Sequence, residues 1–203
     1  MKAKRFRLQR QPGRRTVGGT VRRACVALLA CAALLACADT VETLYANIHA
    51  FFRFGAVTTT APLYTALNNP GQYCAITFSG GRYLFAGPDG SSATYAPTAI
   101  DQYGKPVYIC GFLVGTPAVP DMTTGSAPVA YDLACPNCYD DKSLNLRLTF
   151  NGSRTLHCAS SRGCGRTYDL DNGGRISSAE GGRSLFRYRI SYAAATGTLL
   201  IQN

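Results

Sequence analysis

Four cysteines near the C-terminus are the residues whose type and spacing can do chemistry. Cys135-Pro136-Asn137-Cys138 follows an apolar stretch, Val129 to Leu133, and reads as a tight loop. Nineteen residues intervene before Cys158, and five separate Cys158 from Cys164. Two thiol pairs on two loops joined by a hairpin are how a β scaffold assembles a four-thiolate site. Four soft sulfurs in tetrahedral reach select zinc or an iron–sulfur cluster. The first pair has ordinary metal-knuckle spacing. The second is longer than the roughly two to four intervening residues common in such sites. In an oxidising compartment the same thiols can instead form disulfides, within each loop or crossed between them, or stay reduced and empty. Cys135, Cys138, Cys158 and Cys164 are therefore the candidate metal ligands, with zinc or a 2Fe-2S cluster as the cofactor and an empty or disulfide-bonded site as the other outcomes.

Other candidate chemistry is thin. Cys74 and Cys110 lie in apolar stretches, where cysteine behaves as a small buried hydrophobe; a disulfide between them is the alternative. His157 beside Cys158 has the residue types of a nucleophile pair, but adjacent residues of a strand point to opposite faces. Asp169-Leu170-Asp171-Asn172-Gly173 has a faint calcium-loop pattern without the downstream Glu, and a turn accounts for it. No Gly-rich phosphate loop precedes a helix and no nucleophile elbow is present. No catalytic residue emerges, and the chain is read as a protein without catalysis.

The elements that must position the cysteines are short strands. Pro and Gly recur every ten residues or so between short apolar stretches, the pattern of an all-β protein. Strands are predicted over Ile48 to Phe54, over Tyr73 to Phe78 and Arg82 to Phe85 as a hairpin around Ser79-Gly80-Gly81, and over Val107 to Val114, the last buried on both faces. Residues 87–106 and 115–128 read as loops. Leu144, Leu146 and Leu148 alternate with polar residues as a half-buried strand. Asn151-Gly152 turns the chain, Thr155 to Cys158 returns, and Thr167 to Leu170 forms a short strand closed by Asn172-Gly173-Gly174. Further strands follow over Leu185 to Ile190 and Thr198 to Ile201. Ala61 to Asn69 is the one helical patch, ended by Asn69-Pro70.

The N-terminus predicts where such a domain resides. The charged residues of positions 1–36 are nine Lys and Arg, with no Asp or Glu. They precede a thirteen-residue apolar run, Ala24 to Ala36, that closes on Leu34-Leu35-Ala36-Cys37. That is the layout of a bacterial lipoprotein signal peptide, with Cys37 acylated after cleavage. The run is shorter than the roughly 20 residues a membrane-spanning helix requires. Leu28-Leu29-Ala30-Cys31 is a weaker match, because cleavage there would leave apolar residues at the new N-terminus. Residues 37–44 are expected to form a lipidated tether and 45–203 the β domain. Without the leader, 12 basic and 11 acidic residues remain, so the net charge of +10 falls to +1. A nucleic-acid partner is not expected. The expected partner is the lipid bilayer, reached through Cys37, and the expected location is the cell envelope: an outer-membrane lipoprotein, periplasmic or surface-facing, and monomeric.

Cys135-Pro136-Asn137-Cys138, then Cys164-Gly165-Arg166-Thr167-Tyr168-Asp169-Leu170 and Asn172-Gly173-Gly174, resembles a Rieske-type iron–sulfur domain with altered ligands, over about residues 105–203. Rieske domains hold a two-iron cluster on two loops, each giving one Cys and one His. The resemblance implies that Cys135 and Cys158 match the Rieske cysteines, that Cys138 and Cys164 stand at the histidine positions, and that Gly165, Tyr168 and Asp169 match the residues that follow. A whole-length resemblance is to Bacteroidetes-type lipoproteins with a Rieske-like fold, carried by the lipidated Cys, Asn68-Asn69-Pro70-Gly71, the Tyr-Asp before the first Cys-Pro-Asn, and the closing Asn203. It implies stacked antiparallel sheets with two cysteine-bearing loops and one short helix. The chain departs from Rieske proteins at the ligands: His49 and His157 are its only histidines and neither stands at a ligand position. Zinc, or a two-iron cluster with four thiolates serving electron transfer, is what such loops would hold.

Overall fold

Alternating apolar residues put one row of side chains on each face of a strand, and the strands of this protein use that alternation to enclose two separate cores. The computed structural model describes residues 45–120, 122, 125–178 and 181–203. The leader, Cys31, Cys37 and the tether lie outside them. Eight strands form an antiparallel sheet: β1 (Phe51–Phe54), β2 (Gln72–Ser79), β3 (Arg82–Ala86), β4 (Ser92–Tyr95), β5 (Phe112–Thr116), β6 (Val129–Asp132), β11 (Arg187–Ala193) and β12 (Thr198–Gln202). Their order is β1-β12-β11-β6-β5-β2-β3-β4. Four shorter strands, β7 (Thr149–Phe150), β8 (Thr155–His157), β9 (Thr167–Asp169) and β10 (Arg175–Ile176), form a second sheet in the order β10-β9-β8-β7. Among the described residues no helix is long and apolar enough to cross a membrane.

The large sheet curls until its ends meet. Phe52 and Phe54 of edge strand β1 alternate inward, and Phe52 meets Tyr83 of β3 edge-on at 5.3 Å. Phe54 lies 4.9 Å from Phe85 and 4.9 Å from Tyr95, at the opposite end of the same sheet. Helix α1 (Ala61–Asn68), with a proline in its first turn, buries Pro62, Leu63, Ala66 and Leu67, and the last three join the same interior. A fully buried aromatic or aliphatic side chain contributes about 1.5–3 kcal/mol, so this aromatic-rich interior is the main store of stability.

β5 is buried on both faces, as its unbroken apolar run predicts. Phe112 and Val114 enter the aromatic interior, and Leu113 faces the other way. On that outer face Tyr73, Leu113, Val129, Tyr131 and Leu133 pack with Leu148, Leu156, Tyr168, Leu170 and Leu185 from the small-sheet side. The cysteines of interest belong to this second core.

The predicted all-β antiparallel class is what the structure shows, with some elements as expected and others differing in detail. The 72–86 hairpin forms around Gly80 and Gly81, whose φ angles of 58° and 74° suit glycine. The expected loop 87–106 contains β4, which pairs with β3. The strand expected from Val107 starts only at Phe112, because the amides of Ile109 and Cys110 are turned to the Asp132 carboxylate. The first cysteine pair opens a second short helix, α2 (Pro136–Lys142), instead of lying in a plain loop, so two α-helices stand where one was expected. Cys74 and Cys110 are free thiols and not a disulfide. Cys74 pairs with Val114 in the β2–β5 ladder, four residues along from Cys110, and the two belong to different cores.

Candidate metal centre

Cys135 immediately precedes α2, where Pro136 in the first turn sets a helical φ at the point where no amide is needed. Cys138 follows within that first turn, on the same side. The helix ends at Ser143, a left-handed residue, and the amide of Leu144 then bonds back to the Cys138 carbonyl. This reversal sends Leu144, Leu146 and Leu148 back past the cysteines. The amide of Cys135 bonds the Leu146 carbonyl, and that of Leu148 bonds Leu133. The 144–148 alternation is thus real in burial, although the ladder itself is confined to β7.

Cys158 and Cys164 lie on the connection between β8 and β9. The ladder runs to His157 opposite Thr167, and the Cys158 amide extends it one step to the Arg166 carbonyl. The five residues between the cysteines do not swing Cys164 away. A turn closed from the Gly163 amide to the Ser160 carbonyl (2.7 Å) absorbs them. Gly163 is obligatory there: a Cβ would stand 2.6 Å from the Cys158 sulfur.

The two segments bring all four sulfurs within 4.8 Å of one another. Cys135 Sγ is 3.4 Å from Cys164 Sγ, and Cys138 Sγ is 3.8 Å from Cys158 Sγ. Four thiolates around one zinc at about 2.3 Å define a tetrahedron whose edge is about 3.8 Å. Both contacts lie near that edge, so the cluster could hold one tetrahedral ion. A two-iron cluster places a rhomb of two irons and two sulfides between its ligand pairs and needs the pairs spread further apart than this. Cys135, Cys138 and Cys158 are buried, and Cys164 is partly exposed.

The surroundings hold the sulfurs in place. Asn137, buried inside α2, donates from Nδ2 to the Tyr168 hydroxyl and to the Arg183 carbonyl, both at 2.9 Å, and accepts the Arg183 amide at 2.9 Å. Because Tyr168 Oη accepts from Asn137, its own proton is left for the Cys135 sulfur at 3.2 Å. One carboxylate fixes the approach to the site: Asp132, fully buried, accepts the amides of Ile109, Cys110 and Ala134 and the Tyr188 hydroxyl at 2.7–3.1 Å. Burial raises its pKa against those four donors.

Burial also pushes the Cys135 and Cys138 thiols up, against hydrogen bonds from Tyr168 and the Cys138 amide at Cys135. Burial raises Cys164 as well, but the Arg166 amide and the three neighbouring thiols outweigh it and hold this thiol below its ordinary value. Ligation by a metal requires the thiolates, and a cation held among the four sulfurs would offset what burial opposes.

Other sequence candidates separate from this cluster. His157 turns its Nδ1 to the Thr167 hydroxyl at 3.1 Å, away from the Cys158 sulfur, as strand alternation requires. The calcium-like run is engaged within the protein: Asp171 accepts from Tyr73 and from the Ala118 amide and pairs with Arg154 at 2.9 Å. Sequence reasoning singled out the four cysteines but gave no role to Asp132, Asn137 or Gly163. No protein-family model matches the chain, and no curated protein matches its sequence significantly.

Proposed function

We propose that the protein is an acyl-anchored lipoprotein of the bacterial cell envelope whose Rieske-like β domain carries a structural zinc on Cys135, Cys138, Cys158 and Cys164, without catalysis. The observation that carries the metal reading is the mutual approach of four largely buried sulfurs within 4.8 Å, at contacts matching the edge of a single-ion tetrahedron. Zinc is favoured over a two-iron cluster by that compactness, and the absence of histidine at any ligand position removes the ligation that gives Rieske centres their high potential. Zinc is a closed-shell ion, and a site closed by four protein ligands leaves no open position for substrate. Its task is cohesion: it joins α2 to the β8–β9 connection, two segments linked by a sheet of very short strands.

The anchor reading rests on the sequence of residues 1–37, which lies outside the described residues. Acylation precedes signal cleavage, so Cys37→Ser should leave an uncleaved precursor, whereas Cys31→Ser should process normally. A Cys37→Ser protein of mature mass that still partitions into detergent would refute the anchor.

Elemental analysis of the full-length protein, purified without oxygen, tests the metal. The expected result is a colourless protein with one zinc and six reduced cysteines in residues 45–203, four of them on the metal. A brown protein with iron and acid-labile sulfide would replace zinc by a cluster. A metal-free protein with fewer free thiols would replace both by disulfides.

A further inference from the structure

The four sulfurs are not equivalent. Three are buried, and only Cys164 reaches solvent. Its sulfur lies 3.4 Å from that of Cys135 across the gap, and Cys138 and Cys158 form the second cross-loop contact, at 3.8 Å. The turn between Cys158 and Cys164 keeps these contacts crossed, because the Cys158 sulfur lies against Gly163 instead of turning out with Cys164.

We infer that Cys164 is an oxidation site for hydroperoxides, and that its oxidation joins Cys164 to Cys135 and releases the metal while leaving the two segments covalently linked. The inference rests on the four-thiolate reading of the site. The Cys164 thiolate attacks the peroxide oxygen, the O–O bond breaks, and hydroxide leaves and takes a proton from solvent to become water, as the second hydroxide does in the next step, giving a sulfenic acid. The Cys135 sulfur then displaces hydroxide from Cys164: the S–S bond forms, the S–O bond breaks, and a second water departs. Two electrons pass from the two sulfurs to the peroxide, and zinc keeps its charge throughout. Half of its ligands are lost, and two thiolates do not retain it.

The crossed connectivity is what gives this reaction a consequence. A disulfide within either pair would close a small loop and let α2 part from the β8–β9 connection. The Cys135–Cys164 bond replaces the metal's link by a covalent one. Oxidation would then set the metal free without unfolding the domain, and a reductant would reverse it.

The sequence provides a clean readout. Trypsin separates Cys158, in 155–162, from Cys164, in 163–166, while Cys135 and Cys138 stay together in 83–142 because Lys105 precedes proline. The full-length, reduced, zinc-loaded protein is treated with one equivalent of hydrogen peroxide, and released zinc is followed with a chromogenic chelator. The expected result is a species joining 83–142 to 163–166, in which fragmentation before Pro128 sets Cys110 apart and fragmentation before Pro136 sets Cys138 apart, so that together they assign the bond to Cys135, with zinc released in step and recovered on reduction. A first bridge within either pair, a Cys164 that stops at sulfinic acid, or zinc retained after bridging would overturn the inference. Should the protein hold no metal, the four-thiolate reading fails by itself, and the same peptide map on the reduced chain still decides whether Cys164 pairs with Cys135. Cys164→Ser gives a second arm, read with variant and parent both metal-stripped and reduced: the remaining thiols should react with peroxide at least tenfold more slowly, and an unchanged rate contradicts Cys164 as the entry point.

Discussion

The large curled sheet and the small sheet are held by different physics. Strands of four to eight residues build the first, and its interior is an aromatic cluster in which the two ends of one sheet touch. Strands of two or three residues build the second, and five of the buried or partly buried side chains of its core are thiols. Short ladders with few large apolar groups are marginal alone. A chain can make such a region rigid by leaning it on a larger sheet and by cross-linking it; the shared core supplies the first device, and the four-thiol cluster is placed to supply the second. The large sheet is stable because of what it buries; the small sheet is stable because of what it is tied to.

Removing the metal should break this comparison most visibly. Structural zinc contributes about 10–16 kcal/mol of apparent binding free energy at neutral pH. Chelation should abolish amide-exchange protection over 149–176 while 72–86, 112–132 and 187–202 keep theirs. Equal loss in both regions would show that the two are one cooperative unit. Phe54→Ala should act on the other side: a loss of roughly 3–5 kcal/mol in denaturant unfolding from the cavity left between Phe85 and Tyr95, with zinc content unchanged. Zinc loss in that variant would mean the two cores are coupled more tightly than their contacts imply.

A smaller effect is expected at the hydroxyl beside Cys135. Tyr168→Phe removes the donor at 3.2 Å and should weaken zinc roughly 10- to 100-fold in competition with a chelator, while thermal unfolding of the large sheet is preserved. Unchanged zinc affinity would show that the hydroxyl serves only Asn137. The smallest effect concerns pH. Burial raises the Cys74 thiol, inside the aromatic core, from 9.0 to about 12. The folded protein therefore keeps this proton where the unfolded chain gives it up. Stability from this group is intact below pH 9 and declines as the pH climbs towards 12. Cys74→Val should flatten the alkaline decline in unfolding midpoint, and an identical decline in the variant would assign it elsewhere.

Much of the architecture was legible because it is written in alternation. Phe52 and Phe54, the 72–86 hairpin with its paired glycines, the doubly buried β5 and the Asn151-Gly152 turn all follow from period-two patterning and turn chemistry. The cysteine cluster was legible as a set of residues, since the Cys135–Cys138 spacing and the hairpin to Cys158 point to it. Its geometry was not. Whether five residues hold Cys164 in or out depends on the Ser160–Gly163 turn, and nothing local announces that Gly163 makes room for a sulfur. Helix α2 was hidden for a related reason: seven residues are too few to be helical on propensity alone, and tertiary contacts decide. Asp132 was the least legible residue. Its donors at Ile109, Cys110 and Tyr188 lie more than 20 positions away, and no single-sequence pattern reveals four amides and hydroxyls converging on one carboxylate.

X-ray absorption at the zinc edge on the full-length protein, purified reduced, tests the central claim most directly, because it reads the ligand set without a variant. A single shell of four sulfurs at about 2.3 Å, with no nitrogen or oxygen contribution, is the expected result. A shell with fewer sulfurs completed by oxygen or nitrogen, or a protein in which iron with a close iron neighbour takes the place of zinc, would contradict it.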